Sequence, residues 1–93
     1  MNINTMNDSA ITKALNTRIK VKGCKYGSLA EAVWWAQGFE DPAATLYEAL
    51  AKHVGSMTLK QKIVFNALVQ EEIFIDYVDE DYAHPRITRT KNK

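Results

Sequence analysis

Helices in this chain are bound to start at three places, Ser28, Asp41 and Thr58, and that punctuation constrains the fold more than any other feature. Ser28-Leu29-Ala30-Glu31 reads as a capping box, in which the serine oxygen accepts an early helical N–H and the glutamate reaches back. Thr58-Leu59-Lys60-Gln61 repeats the box. Asp41-Pro42 sets a capping carboxylate before a proline whose fixed φ suits the first helical position. Gly38 and Gly55 stand where a left-handed stop residue is expected. These boundaries predict helices over 28–37 and 42–54, and a further one starting after Thr58.

Apolar spacing then assigns faces. In the 28–37 helix Leu29, Ala32, Val33 and Ala36 gather on one side. A helix turns about 100° per residue, so Trp34 and Trp35 fall to either flank and one buried face holds both badly. Either the loop after Gly38 and the first helix fold over both rings, or at least one indole stays open as a binding anchor. Leu46, Ala49, Leu50 and His53 are spaced for a core face in the 42–54 helix, with Tyr47 flanking it. In the last helix Ile63, Ala67 and Leu68 point inward, and Val64 and Phe65 broaden the apolar arc. Lys60 and Lys62 sit near the start of that helix, where the dipole disfavours them, so they are expected to answer an acidic neighbour such as Glu48, or a partner.

The ends are less regular. Ile11, Leu15 and Ile19 recur at helical spacing, with Asp8 or Ser9 as cap, which predicts a helix to about Thr17. Residues 18–22 alternate with period two and read equally as a short strand, so 17–27 is left open between helix and strand. Gly23 and Gly27 bound a turn around Cys24 and Tyr26. Residues 73–78 (Ile-Phe-Ile-Asp-Tyr-Val) are β-branched and aromatic enough for a strand or a docked extended arm. His84-Pro85 marks a break. The expected fold is mostly α, a small domain of three to four helices with an extended C-terminal arm. It divides into an N-terminal basic segment with one helix (1–27), a helical core module (28–78) and a flexible tail (79–93).

Composition removes whole classes of function. A lone Cys24 allows no intramolecular disulfide and no thiolate metal cluster, and it suits a reducing compartment. No apolar run approaches the ~20 residues of a membrane helix and no secretory signal opens the chain, so a cytoplasmic protein without membrane contact is expected. Net charge of +1 selects no partner, but its distribution is blocked. Lys13, Arg18, Lys20, Lys22 and Lys25 make the first quarter basic. Glu71, Glu72, Asp76, Asp79, Glu80 and Asp81 form an acidic block, and Arg86, Arg89, Lys91 and Lys93 follow as a basic tail. Solvated faces account for such blocks unless each seeks an oppositely charged partner.

Reactive groups are sparse. Cys24 is the only thiol, and neither His53 nor His84 is local to it. Asp76, Asp79, Glu80, Asp81 and His84 lack the glycine and alternating oxygens of a calcium loop. No phosphate-cradling glycine loop is present. A helix-turn-helix reading of 28–54 would place Ala43, Ala44, Thr45, Tyr47, Glu48 and Lys52 in the groove, a face too poor in Arg, Lys, Asn and Gln to read bases. The expectation is therefore a non-enzyme with no cofactor, metal or small-molecule substrate, whose nucleic-acid contact is at most indirect or non-specific.

Glu31-Ala32, then Ala51-Lys52-His53-Val54 followed by Ser56, then Lys62-Ile63, Ala67, and Glu71 before Ile73-Phe74 make a further pattern. On these residues 29–74 resembles the late-transcription coactivators of large tailed phages. The resemblance implies a small helical adaptor without catalytic activity. Such an adaptor binds the flap of bacterial RNA polymerase in the host cytoplasm and cooperates with a sigma-like factor and the DNA sliding clamp. The chain departs from the family at residues 86–93, which are basic where the best-known members carry an acidic-hydrophobic clamp-binding peptide. The residues themselves point to a protein-binding module with Trp34, Trp35, Tyr47, Phe74, Ile75 and Tyr77 as apolar anchors, and the resemblance, which assigns no contact residue by residue, implies a phage-encoded regulator of host transcription. Two other readings compete: a small phage inhibitor of a defence nuclease, using residues 71–81 as a DNA-like acidic surface, and a non-specific nucleic-acid binder using the basic ends.

Overall fold

The computed structural model describes residues 2–76 and 85–90. Its helices begin where capping side chains allow. A 3-10 turn, Ile3–Thr5, is closed by a capping box between Asn2 and Thr5. Helix α1 (Asp8–Asn16) is capped by Asn7, whose Oδ1 accepts from Ala10 N–H at 2.8 Å, rather than by Asp8 or Ser9. After Asn16 the chain neither stays helical nor forms a strand. Arg18 makes one isolated bridge to Ser28, and Ile19 N–H donates to Gly27 O at 2.9 Å, which closes 17–28 into a loop. Ile19 is still buried, so its spacing with Ile11 and Leu15 reported core membership, not helix.

Helix α2 (Leu29–Ala36) starts at Ser28, whose Oγ accepts from Glu31 N–H at 3.1 Å. The reciprocal arm is displaced by one residue, because the Glu31 carboxylate accepts from Gly27 N–H at 3.1 Å. Leu29, Ala32, Val33 and Ala36 are buried as their spacing predicts. Helix α3 (Pro42–Leu50) starts at Asp41, whose Oδ1 accepts from Ala44 N–H at 3.2 Å. The single helix expected over 42–54 is split, since Ala51–Ser56 winds as a 3-10 helix. That tighter winding shifts the phase after Leu50 and leaves His53 half-buried instead of on the core face. Neither Gly38 nor Gly55 is a left-handed stop; among glycines only Gly23 has positive φ, at 85°. Helix α2 instead ends by i→i+3 bonds from Gly38 to Trp35 and from Phe39 to Ala36, which satisfy its last carbonyls without a left-handed residue.

Helix α4 (Leu59–Val69) carries the complete capping box: Thr58 Oγ1 accepts from Gln61 N–H at 3.1 Å and Gln61 Oε1 from Thr58 N–H at 3.0 Å. Val64, Phe65, Ala67 and Leu68 are buried, while Ile63 is half-buried. No ion pair joins Lys60 or Lys62 to Glu48 among the described residues; both lysines are exposed to water.

Strand β1 (Ile73–Asp76) pairs antiparallel with β2 (Arg86–Arg89), with Ile73 opposite Arg89 and Ile75 opposite Ile87. Residues 86–89 therefore belong to the fold, contrary to the expected tail from 79 onward, because Ile87 gives Ile75 an apolar cross-strand neighbour. Positions 79–84 and 91–93 of that expected tail lie outside the described residues.

Helices α1 and α3 both pack on α2 and α4, and β1 rests on α4. Ile3, Met6, Ile11, Leu15 and Ile19 share one cluster with Leu29, Leu50, Val64 and Ile73. No division falls at residue 27, because the N-terminal segment supplies a wall of the same core. Among the described residues no helix is long and apolar enough to cross a membrane.

Candidate partner-binding surface

The two adjacent indoles part company. Trp34 is half-buried, whereas Trp35 is 38% exposed. Trp35 packs against two rings: Tyr26, with centroids 5.4 Å apart and planes tilted by 40°, and Phe39, at 4.7 Å and 54°. Phe39 is 48% exposed. Tyr26 is buried, and its phenol is pushed above the usual tyrosine range by that burial first, then by Cys24 and Glu31. Lys25 holds its Nζ 5.6 Å from the centre of the Trp35 ring, in cation–π range.

Local sequence builds this arrangement. The left-handed Gly23 turns the 17–28 loop back towards α2, and the Cys24 thiol donates to Tyr26 O at 3.4 Å. Phe39 follows the tightened end of α2, four residues after Trp35, so both rings emerge on one side. An open cleft of about 470 Å³ lies beside them, with Glu48, Lys52 and His53 along its other wall. Arg18, Lys20 and Lys22 are exposed on the loop that carries Lys25.

Of the remaining expected anchors, the described ones, Tyr47, Phe74 and Ile75, do not join this cluster. Tyr47 is 52% exposed and stacks over buried Phe65, with centroids 6.4 Å apart and planes at 19°. Phe74 is 46% exposed and lines a separate groove of about 400 Å³ with Val33, Ala36, Leu46 and Leu68. Ile75 is a correction: it is buried at 5% exposure, because strand alternation turns it inward with Ile73 while Phe74 and Asp76 face out. Tyr77 lies outside the described residues. Residue patterns missed Lys25, Tyr26 and Phe39 as members of the surface. The four-residue step from Trp35 to Phe39 was the one available signal, and it was hidden by reading Gly38 as a stop.

The Cys24 thiol is engaged with a backbone carbonyl, and His53 faces the cleft with Lys52 and Glu48. Among the described residues no three His, Cys, Asp or Glu side chains gather as metal ligands would, and of the acidic block only Glu71, Glu72 and Asp76 are described, all exposed. Set against models of known protein families, curated proteins and solved structures, the chain matches none of them.

Proposed function

We propose that this chain is a non-enzymatic protein-binding module whose main docking surface is Trp35 and Phe39. One observation carries the reading: Trp35 and Phe39, 38% and 48% exposed, are packed on each other, and Trp35 packs on buried Tyr26. A ring already held in place loses little freedom when a partner covers it, and apolar area removed from water stabilises the complex. Tryptophan within a charged surround is the common anatomy of an interface hot spot, and Lys25, Glu48 and Lys52 supply that surround.

The resemblance of 29–74 to phage late-transcription coactivators supports one partner, bacterial RNA polymerase, reached in the host cytoplasm. Affinity purification from bacterial lysate with mass spectrometry tests this. Polymerase subunits should dominate the recovered proteins, and Trp35→Ala should weaken their capture by more than ~1 kcal/mol while the melting curve stays nearly unchanged. A Trp35→Ala variant that unfolds, or that binds as well as the parent, defeats the anchor. Capture of a nuclease instead would transfer the reading to the inhibitor alternative, with exposed Glu71, Glu72 and Asp76 as its starting point.

A further inference from the structure

Hydrogen bonds fix which backbone groups lie along the edge of β1 that β2 leaves open. Thr90 N–H donates to Glu72 O at 3.0 Å, and the register places these two residues opposite each other, one step beyond Ile73 and Arg89. Bonded and non-bonded pairs alternate along an antiparallel ladder, so Phe74 and Asp76 also direct their N–H and C=O groups at β2. Ile73 and Ile75 then turn theirs to the opposite edge. A second observation agrees: Gln37 Nε2, at the C-cap of α2, donates to Ile75 O from that side. By the same alternation the Ile75 N–H is directed at that edge as well.

That edge forms one wall of the 400 Å³ groove, and Val33, Ala36, Pro42 and Leu46 form the other. Ile73, at 1% exposure, is its closed end, and Ile75, at 5%, is the reachable pairing position. Of the described charged side chains, only Glu71 and Asp76 line it, both exposed and both acidic. An amide donor already standing at Ile75 O marks the place a neighbouring strand's N–H would take.

We propose that this groove is a second docking site, which takes an extended segment of a protein partner by strand addition at Ile75. One residue of the segment exchanges both backbone bonds with Ile75, displacing the Gln37 amide, and its apolar side chain enters the groove against Val33 and Leu46. Lysine or arginine next to that residue, on the outward face of the segment that Asp76 shares, is drawn to Asp76 and Glu71. The inference rests on the chain being a protein-binding module but uses a surface distinct from Trp35. Together the two sites give one small body an aromatic, cation-flanked face and an apolar, acid-lined groove.

The test uses the full chain and a blocked heptapeptide, Thr-Thr-Lys-Leu-Lys-Thr-Thr, followed by amide and methyl NMR shifts. The peptide should move the Ile75 amide and the Val33 and Leu46 methyls, and leave the Trp35 indole N–H in place. Methylating the leucine nitrogen removes the donor to Ile75 O and should weaken binding about five- to tenfold. Glutamate in place of both lysines should weaken it severalfold, and Ala43→Trp should block it. Trp35→Ala should bind the peptide as the parent does, which keeps this site separate from the main surface. Equal binding of the methylated and parent peptides, shifts confined to Trp35 and Phe39, or no groove shift near 1 mM peptide would each overturn the proposal, whatever the lysate experiment gives.

Discussion

Gln61 shows how much one polar side chain can organise. It is 2% exposed, yet every polar atom of its amide is placed: Oε1 accepts from Thr58 N–H, and Nε2 donates to Thr17 O at 3.0 Å and more weakly towards Ala14 O at 3.5 Å. One amide thus caps the start of α4 and the end of α1 together. Leucine at this position keeps the approximate shape but leaves the Thr58 donor and the Thr17 acceptor without a partner. Buried groups left so cost about 1–3 kcal/mol each, less where water reaches them. Gln61→Leu should therefore lower the urea-unfolding free energy by roughly 2 kcal/mol, with an unchanged denaturant slope. A loss below about 0.5 kcal/mol would mean that water replaces both bonds. The half of this role that lies within four residues was legible, because a capping box is a local pattern. The half that reaches α1 was not, since nothing in the chain announces that Thr17 O will lie beside Gln61.

At the scale of elements, helix starts were legible and helix stops were not. Ser28, Asp41 and Thr58 each cap as read, because an oxygen two or three residues from an N–H has one geometry in which to act. Glycine permits a left-handed stop without demanding one, so Gly38 and Gly55 misled. The left-handed stop that exists is Glu71, at φ 59°. Its N–H donates to Leu68 O and Glu72 N–H to Ala67 O, which is the Schellman pattern at the end of α4. Thr90 secures it from outside, since its hydroxyl donates to Glu71 O at 2.7 Å and its N–H to Glu72 O. A non-glycine residue there costs about 1–2 kcal/mol, and glycine's greater freedom in the unfolded chain offsets about half of any relief. Glu71→Gly should then raise stability by about 0.5 kcal/mol, or the melting temperature by some 2–4 °C, whereas Glu71→Ala should not. A glycine variant that melts lower than the parent would show that the glutamate side chain itself contributes more than its backbone costs.

Across the whole molecule, the mostly helical class and the core faces of α2 and α4 were readable from periodicity, but the closure of the chain was not. The surface followed the same rule: adjacency of Trp34 and Trp35 left an open indole as one of two outcomes, while its neighbours Tyr26 and Lys25 arrive from a loop whose path no pattern dictates. Closure depends on Arg89, read from sequence only as part of a basic tail. Paired opposite Ile73, it sends Nη1 to Ile3 O at 3.0 Å and Nη2 to Met6 O at 2.6 Å, with Asp8 Oδ1 3.2 Å away. The guanidinium thus ties β2 to the 3-10 turn and to the first turn of α1. The side chains of Arg89 and Asp8 are 36% and 65% exposed, so their ion pair is screened and contributes little. The two carbonyl bonds matter more, because a charged donor satisfies the backbone of a segment that buries Ile3 and Met6. Arg89→Ala should cost about 1–2 kcal/mol and speed hydrogen exchange in α1 and in β2 together. Arg89→Lys should recover little, since one ammonium cannot span two carbonyls as a planar fork does. Asp8→Asn should cost less than about 0.5 kcal/mol. If it costs as much as Arg89→Ala, the ion pair joins the two ends and the carbonyl bonds are incidental.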